Sequence, residues 1–511
     1  MNNIISFLNL NINKMSSTYT IPSELVKSLK QYQKENKPIK TRLPPEPSGM
    51  LHIGHAKAAF YNYIIATQFG GEMILRMDDT NPTKESTEFE HSIIDDIMNI
   101  LKITPSKQTY SSDYFDIIIQ LGDKLVKDGL AYVDTTNVEK MREERNAGTE
   151  SQFRSIDPLL MMSEWEKMKA GQLENSCLRL KMDMKSVEKT LRDPVAFRTM
   201  LNNSHHRTGD KYKIYPSYDF SCPVVDAIES ITHVFRCSEF SDRDKQYVRI
   251  LDMLNLPKPE RFYYAKLKFD NVELGKRVIK ELVNAGKVDG WDDPRLYTLR
   301  GLVRRGLHLD GMTEFIRNIC FSKNSVNINP TLMWSINRKV IDKIAPRYVV
   351  LNTDVKEIDI TVLETDKIPH AYESQIQKFH RAPDLGTKTV YHRNKILIEN
   401  ADFSQLVDNE EITLMTWGNM VFSNGTFIRK LDGDFKLTKK KLLWLPVDTN
   451  IPNITIVIKT FNNYDTHITN YIGEPALKEI KVGDIIQLLR MKYYICDSKS
   501  DNTIVLIEIP E

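Results

Sequence analysis

The stretch Thr41–Phe60, TRLPPEPSGMLHIGHAKAAF, constrains the fold more than any other part of the chain. The residues leading into it, Lys37–Leu43, can form a strand, but Pro44, Pro45 and Pro47 cannot continue one. Gly49 permits a sharp turn. From Leu51 onward Ala56, Ala58, Ala59, Phe60, Ile64 and Ile65 predict a helix. The reading is strand, rigid loop, helix N-terminus, a geometry that suits an anion because free backbone N–H groups and the helix dipole point outward there. His52 and His55 stand three apart on one helix face and can both hold one phosphate. Gly54 between them leaves room for a flat group to approach the backbone. Two histidines alone are more often surface residues of an ordinary helix. A metal pair is the other option, but no cysteine or third histidine lies nearby to close a zinc site.

The next segments extend an α/β pattern. Ile21–Lys34 predicts a short helix, Met73–Met77 a buried strand ending in the turn Asp78-Asp79-Thr80-Asn81-Pro82, and Thr83–Leu101 a long amphipathic helix. An opening β-α-β-α order predicts a parallel sheet with ligands at the strand C-termini. Residues 105–205 read as a polar, helix-rich insertion, after which the strand-and-helix pattern resumes from Tyr215 to about Asp293. Residues 294–345 read as helical, with Arg295, Arg300, Arg304, Arg305, Arg317, Arg338 and Lys339 forming a basic side. From about residue 347, short alternating runs such as Ile358–Val362, Ile454–Ile458 and Thr503–Ile507 are separated by Asn, Asp and Gly turns, the mark of antiparallel barrels.

Composition sets outer limits. The 511 residues suffice for three or four domains, and 41% hydrophobic with 27% charged residues is ordinary globular usage. A net charge of +2 means that any nucleic-acid surface must be local. Five scattered cysteines without C-x-x-C spacing argue for a reducing compartment, hence a cytoplasmic location, and against a zinc ribbon. No apolar run reaches membrane-spanning length, so no membrane partner is expected. The first residues, MNNIISFLNLNINK, lack the basic start of a secretion signal and the composition of a transit peptide; they are expected to be disordered.

With these segments in hand the chain, from about residue 38 to 511, resembles glutamyl-tRNA synthetase of the archaeal and eukaryotic cytosolic type, in the glutamate and glutamine subgroup of class I synthetases. RLPPEPSGMLHIGHAKAA carries the resemblance together with RMDDTNPTKE, SDYFD, HHRTGDKYKIYPSYDFSCPVVD, THVFR, VDGWDDPRLYTLRG, INRKVIDKIAPRYV, TWGNM and KVGDIIQLLRMKYYICD. It implies a Rossmann-like parallel-sheet catalytic domain over 38–104 and 206–293, preceded by an N-terminal extension at 1–37. An acceptor-end-binding insert over 105–205, a helical stem-contact domain over 294–346 and anticodon-binding β-barrels over 347–511 complete the implied α/β architecture.

The activity implied is ATP-dependent activation of L-glutamate and its transfer to the 3′ end of tRNA(Glu), with Mg2+ accompanying ATP and no structural metal. The resemblance places the catalytic groups at His52, His55 and Lys276, and ATP at His52, Gly54, His55, Glu239 and the loop Glu273-Leu274-Gly275-Lys276-Arg277. That loop departs from the usual Leu-Ser-Lys-Arg, with Gly275 in the serine position; the expectation is that the Gly275 N–H replaces the hydroxyl. The implied glutamate site is Arg42, Leu43, Pro44, Asp78, Tyr218, Asp219, Phe220, Ser221, Cys222 and Arg236. Two guanidinium groups suit a carboxylate through forked, charge-assisted hydrogen bonds, and Asp78 suits the substrate ammonium. Asp79 is expected to stabilise its own turn. Contacts to tRNA are expected among Arg347, Trp417, Asn419, Lys436, Lys439–Lys441, Arg490 and Lys492. Glutaminyl-tRNA synthetase and a weakly catalytic tRNA-binding paralogue remain as rivals; Arg236, Cys222 and Asn324–Asn327 oppose the first.

Overall fold

A computed structural model of the chain describes residues 22–272, 274–319, 327–361 and 371–511. The N-terminal extension up to residue 21, Glu273, Cys320 and Asn324–Val326 therefore lie outside the described residues. The chain divides into two compact units, one running up to Ile279 with Ile316–Ile328, the other comprising Lys280–Phe315 and Asn329–Glu511.

The first unit opens with helix α1, Ser23–Lys34, followed by strand β1, Lys40–Leu43. Helix α2, Ile53–Gln68, returns the chain to β2, Glu72–Met77, which pairs parallel to β1 with Arg42 opposite Ile74. The small residues Ala56 and Ala59 are fully buried in α2, so the helix lies close against the sheet. Helix α3, Thr87–Asp95, is capped by the Ser86 hydroxyl and closes in a π-helical turn, Asp96–Ile100. It therefore starts four residues later than the periodicity predicts, because Asn81–Ser86 is a turn in which Glu85 Oε1 accepts the Asn81 N–H. Strand β3, Lys107–Tyr110, adds to β2 in parallel.

The insertion then begins, and it holds more strand than its polar composition suggests. After helix α4, Phe115–Lys127, the chain forms β4, Ala131–Asp134, and two helices, α5, Val138–Ala147, and α6, Pro158–Lys169. Strands β5, Cys177–Leu180, β6, Val195–Thr199, and β7, Ile214–Pro216, complete an antiparallel sheet in the order β4-β5-β6-β7. Its core of Phe115, Trp165, Phe197 and Tyr215 is continuous with Phe220 and Val224 of helix α7, Tyr218–Ile228. The sheet is thus welded to the helix that re-enters the catalytic fold. Strand β8, His233–Cys237, and β9, Glu260–Tyr264, pair in parallel, separated by helix α8, Asp244–Leu254. The Thr232 N–H donates to the Lys40 carbonyl at 2.9 Å, which sets β8 beside β1. Arg42 and Arg236 consequently rise from neighbouring strands.

The second unit contains helices Leu299–Arg304 and Pro330–Ile341 and two seven-stranded, mainly antiparallel sheets. In one sheet the two ends of the strand order are Arg347–Tyr348 and Val350–Asn352, adjacent in sequence, so the sheet curls into a nearly closed barrel. In the other the ends are Lys441–Leu442 and Leu445–Pro446, with the same result. Each has its own core, centred on Ile456, Ile486 and Leu506 in the first and on Ile396, Ile412 and Phe427 in the second. Among the described residues no helix is long and apolar enough to cross a membrane.

Candidate active site

The C-terminal ends of β1, β2 and β8 open onto a cleft of about 530 Å³. Its wall includes Arg42, Leu43, Pro44, His52, Gly54, His55, Asp78, Tyr218, Arg236 and Glu239, so most of the residues singled out in the sequence converge there. The proline-rich loop is held from three sides. The Asp78 N–H donates to Pro45 O at 2.9 Å, the Ser86 N–H to Pro47 O at 3.1 Å, and Lys276 Nζ to Glu46 O at 2.9 Å.

His52 is the N-cap of α2, and its Nδ1 accepts the Gly54 N–H at 3.0 Å. His55 Nδ1 accepts the His52 N–H at 3.1 Å. Both ring nitrogens nearest the backbone are acceptors, so each neutral imidazole carries its proton on Nε2. Burial, with Lys276 and Lys266 nearby, pushes His52 down to about 4. Burial, His52 and Lys276 hold His55 well below its usual value. The pair therefore acts through neutral N–H donors and not through positive charge. Gly54 has a different role from the one its position suggests: a Cβ there would lie 2.8 Å from His52 Cε1, so the flat group lodged against its backbone is the protein's own imidazole.

Lys276 also donates to Ser48 Oγ at 3.2 Å, and burial lowers its pKa although Glu46 and Glu85 oppose the shift. It begins the helix Lys276–Asn284, and Gly275, just ahead, accepts the Ile279 N–H through its carbonyl at 3.1 Å. Leu274, Gly275, Lys276 and Arg277 do not line the cleft, and Lys276 reaches only the back of the proline-rich loop that does.

The amino-acid side of the cleft is asymmetric. Arg42 is 1% exposed, and its Nε donates to Asp226 Oδ1 at 2.9 Å, an oxygen it shares with Arg76 Nη1 at 2.7 Å. Its remaining donors meet Phe235 O at 3.3 Å and Cys222 Sγ at 3.8 Å. Arg236 is 4% exposed, and its Nε and Nη1 have no hydrogen-bond partner among the described residues. Aromatic rings take the place of a counter-ion: Phe240 at 4.6 Å, Tyr247 at 5.4 Å and Tyr218 at 6.0 Å from the guanidinium carbon. Among the described residues Asp78 also lacks an ion-pair partner and receives the Thr80 and Ser111 hydroxyls, each at 3.3 Å. Burial, then Asp79 and Glu46, push its carboxyl up to about 7.

The rest of the Tyr218–Cys222 run splits up. Asp219 pairs with Arg243 at 2.5 Å, Phe220 is buried in the core of the insert, and the Ser221 hydroxyl donates to Tyr218 O at 3.5 Å. Cys222 touches Arg42 from behind. Asp79 is not a local turn former: it accepts the Ser112 N–H at 2.8 Å and hydroxyl at 2.5 Å, tying β2 to the chain beyond β3. Glu239 forms an ion pair with Lys266 at 3.0 Å.

The sequence reading missed Arg198, which lines the cleft from β6 with a buried Nε that has no partner among the described residues. Its only local signal is that it is the one charged residue of the strand Val-Ala-Phe-Arg-Thr. Glu85, His205 and His206 bring ligand atoms within 4.8 Å of one another. His205 is already committed, however: Nδ1 accepts from the Arg207 and Thr208 N–H groups and Nε2 meets Asp79 O at 2.7 Å.

Several residues expected at tRNA have internal roles. Trp417 and Asn419 are buried, Arg347 lies 3.9 Å from the Phe379 ring and bonds Asp342, and Lys440 and Lys492 pair with Glu410 and Glu508. Arg295, in the turn before the helix Leu299–Arg304, pairs with Asp293, and Arg304 at the end of that helix pairs with Asp497. Lys436 and Lys439 are exposed.

Residues 38–343 match the model for tRNA synthetases class I (E and Q), catalytic domain, and residues 345–436 match the anti-codon binding domain of the same group. The chain is 39% identical to a protein named probable cytoplasmic glutamate–tRNA ligase of Encephalitozoon cuniculi, with 90% of this chain and 74% of the relative covered. It is also 39% identical to the cytoplasmic glutamate–tRNA ligase of Saccharomyces cerevisiae, over 93% of this chain and 70% of that one. A bifunctional glutamate/proline–tRNA ligase of Mus musculus is 39% identical over 90% of this chain, which spans only 32% of that relative's length. With the catalytic and anticodon-binding family models both matched in sequence order, the chain belongs to the class I tRNA synthetases of the glutamate and glutamine group.

Proposed function

We propose that the protein is a cytoplasmic glutamate–tRNA ligase that activates L-glutamate with ATP and esterifies it to the terminal adenosine of tRNA(Glu). The observation that carries this reading is Arg236: a buried guanidinium in the cleft wall with no carboxylate partner among the described residues. A buried charge without a counter-ion is costly, and a substrate carboxylate supplies what is missing. Glutamine in the same place leaves the cation uncompensated. Asp78, equally short of an ion-pair partner, receives the substrate ammonium, and Tyr218 closes the pocket between them.

Activation forms a bond between a glutamate α-carboxylate oxygen and the α-phosphorus of ATP and breaks the bond to pyrophosphate. No covalent enzyme intermediate is required, so the protein's task is alignment and stabilisation of charge on phosphate oxygens. His52 and His55 do this with Nε2–H donors preset by their own backbone bonds. Lys276 brings a mobile positive charge from its resting contact with the proline loop, and Mg2+ enters with ATP as part of the substrate. In the second step an adenosine hydroxyl attacks the activated carbonyl, its proton leaves, and AMP departs.

In this reading the antiparallel sheet β4–β7 with its helices, which starts after β3 and runs on to Pro216, holds the acceptor end, residues 294–346 lie along the stem, and the barrels over 347–511 read the anticodon. Phe435, 56% exposed between acidic and basic neighbours and next to Lys436, supports base stacking in the last role. ATP–pyrophosphate exchange measured with glutamate and with glutamine, each with and without tRNA, tests the assignment. Glutamate-dependent exchange and charging of tRNA(Glu) are expected; exchange driven equally by glutamine, or none with either amino acid, overturns it.

A further inference from the structure

Resting on the glutamate-ligase reading, we propose that Arg198, contributed by the inserted sheet, binds the α-carboxylate of the amino acid and positions it for attack on ATP.

The charges of the cleft lead to this assignment. Four of its cations and acids are already engaged. Arg42 is bound to Asp226, Lys57 donates to Ala265 O at 2.9 Å, and Lys266 pairs with Glu239. Among the described residues, two guanidinium groups of the cleft, Arg236 and Arg198, have no ionic partner, and neither do two carboxyls, the buried Asp78 and the half-buried Glu46, of which only Asp78 is enclosed deeply enough to need one. Glutamate carries the complement: two carboxylates and one ammonium. Arg236, caged by aromatic rings at the inner wall, takes one carboxylate. Arg198 is left for the other, at a wall made by a different element.

The backbone supports the placement. Strand β6 is stitched to the start of α7 by the Ser217 N–H, which donates to Ala196 O at 2.7 Å, and by the Ser217 hydroxyl, which donates to Val195 O at 2.7 Å. Ser217 immediately precedes Tyr218, so Arg198 is held on the side of the pocket that Tyr218 borders. Its Nε is buried yet unbonded, a state that costs free energy until an acceptor arrives. A guanidinium on the α-carboxylate fixes the direction of the attacking oxygen, and it does so from the domain read here as the one that holds the RNA end.

The test compares the full-length protein with Arg198→Gln, Arg198→Lys and Arg236→Gln in ATP–pyrophosphate exchange. Binding of glutamol adenylate, which keeps the γ-carboxylate and ammonium but has no α-carboxylate, is measured alongside. Arg198→Gln is expected to raise KM for glutamate about tenfold to a hundredfold, the value of a charge-assisted hydrogen bond, with KM for ATP and affinity for glutamol adenylate changed less than about twofold. Arg198→Lys recovers part of the loss, and Arg236→Gln weakens both ligands. The proposal is overturned if Arg198→Gln leaves KM for glutamate unchanged or weakens glutamol adenylate as much as glutamate. It is also overturned if the only KM altered is that for tRNA, which would assign the residue to a terminal phosphate. Absence of glutamate-dependent exchange in the unmodified protein counts against the ligase reading itself, so the two failures are distinguishable.

Discussion

Arg42 Nε and Asp226 Oδ1 lie 2.9 Å apart with their side chains 1% and 0% exposed, which makes the first arginine of the cleft a buried half of an ion pair before any substrate arrives. Arg76 joins the same carboxylate and a second one, Glu229, at 2.5 Å. Burial alone would raise the Asp226 pKa, but Arg42 and Arg76 overcome it and hold the group at about 2.

Asp226→Asn is accordingly expected to destabilise the first unit by about 3–5 kcal/mol, because two arginines lose their shared anion in a buried site. Urea unfolding followed by fluorescence checks this. The folded pKa is depressed, so the stabilisation is present above the unfolded value near 3.8 and is lost as pH falls toward 2; the variant loses that part of the acid dependence. Equal unfolding midpoints at neutral pH would show that the network contributes nothing.

The imidazole pair gives a spectroscopic expectation. Nitrogen-15 spectra should show a neutral His52 ring protonated on Nε2 down to about pH 5, and a neutral His55 ring well below the usual histidine range, because burial lowers both groups. Gly54→Ala should displace the His52 ring and reduce the activation rate by about a hundredfold, comparable to the loss of one preset donor. A mid-range titration near 6.5 for His52 would contradict the neutral-donor role.

Much of this site was legible in the sequence because its signals are local. Pro44, Pro45 and Pro47 end a strand whatever surrounds them, and Ala-rich Ile53–Gln68 follows with its cap at His52. The barrels were legible for the same reason, since strict alternation and Asn or Gly turns need no knowledge of distant partners. The inserted sheet was harder: its strands are three to five residues long and separated by charged loops, so composition pointed to helix. Pairings across long separations were invisible. Asp79 resembled a turn residue until Ser112, 33 positions later, was placed beside it. Trp417 stands among the tRNA contacts expected from sequence, yet it packs on Trp444 inside a barrel. Arg198 had no pattern to announce it, since its meaning lies in having no partner.

Asp78 carries the clearest pH dependence. Its carboxyl is raised to about 7, and the ionised form is the one that attracts an ammonium, so kcat/KM for glutamate should rise with pH through about 7 and level off above it. Asp78→Asn should raise KM for glutamate by at least about tenfold and remove that inflection. A pH profile identical in wild type and variant would remove Asp78 from the substrate site.

Gly275 is expected to tolerate serine. The nearest atom to a Cβ there is Val278 Cγ2 at 4.0 Å, and the position precedes a helix, where a hydroxyl caps better than glycine by a few tenths of a kcal/mol. Gly275→Ser should therefore fold normally and change the pyrophosphate exchange rate by less than about tenfold. A larger gain would mean that the lysine loop of this chain is impaired by its glycine.

The most direct test of the account is the amino-acid preference of the unmodified protein and of Arg236→Ala, measured as kcat/KM in ATP–pyrophosphate exchange with tRNA present. The unmodified protein should prefer glutamate over glutamine by a factor on the order of 10⁴, and removal of the uncompensated guanidinium should abolish most of that ratio. A ratio near one in the unmodified protein, or an undiminished ratio after Arg236→Ala, would contradict it.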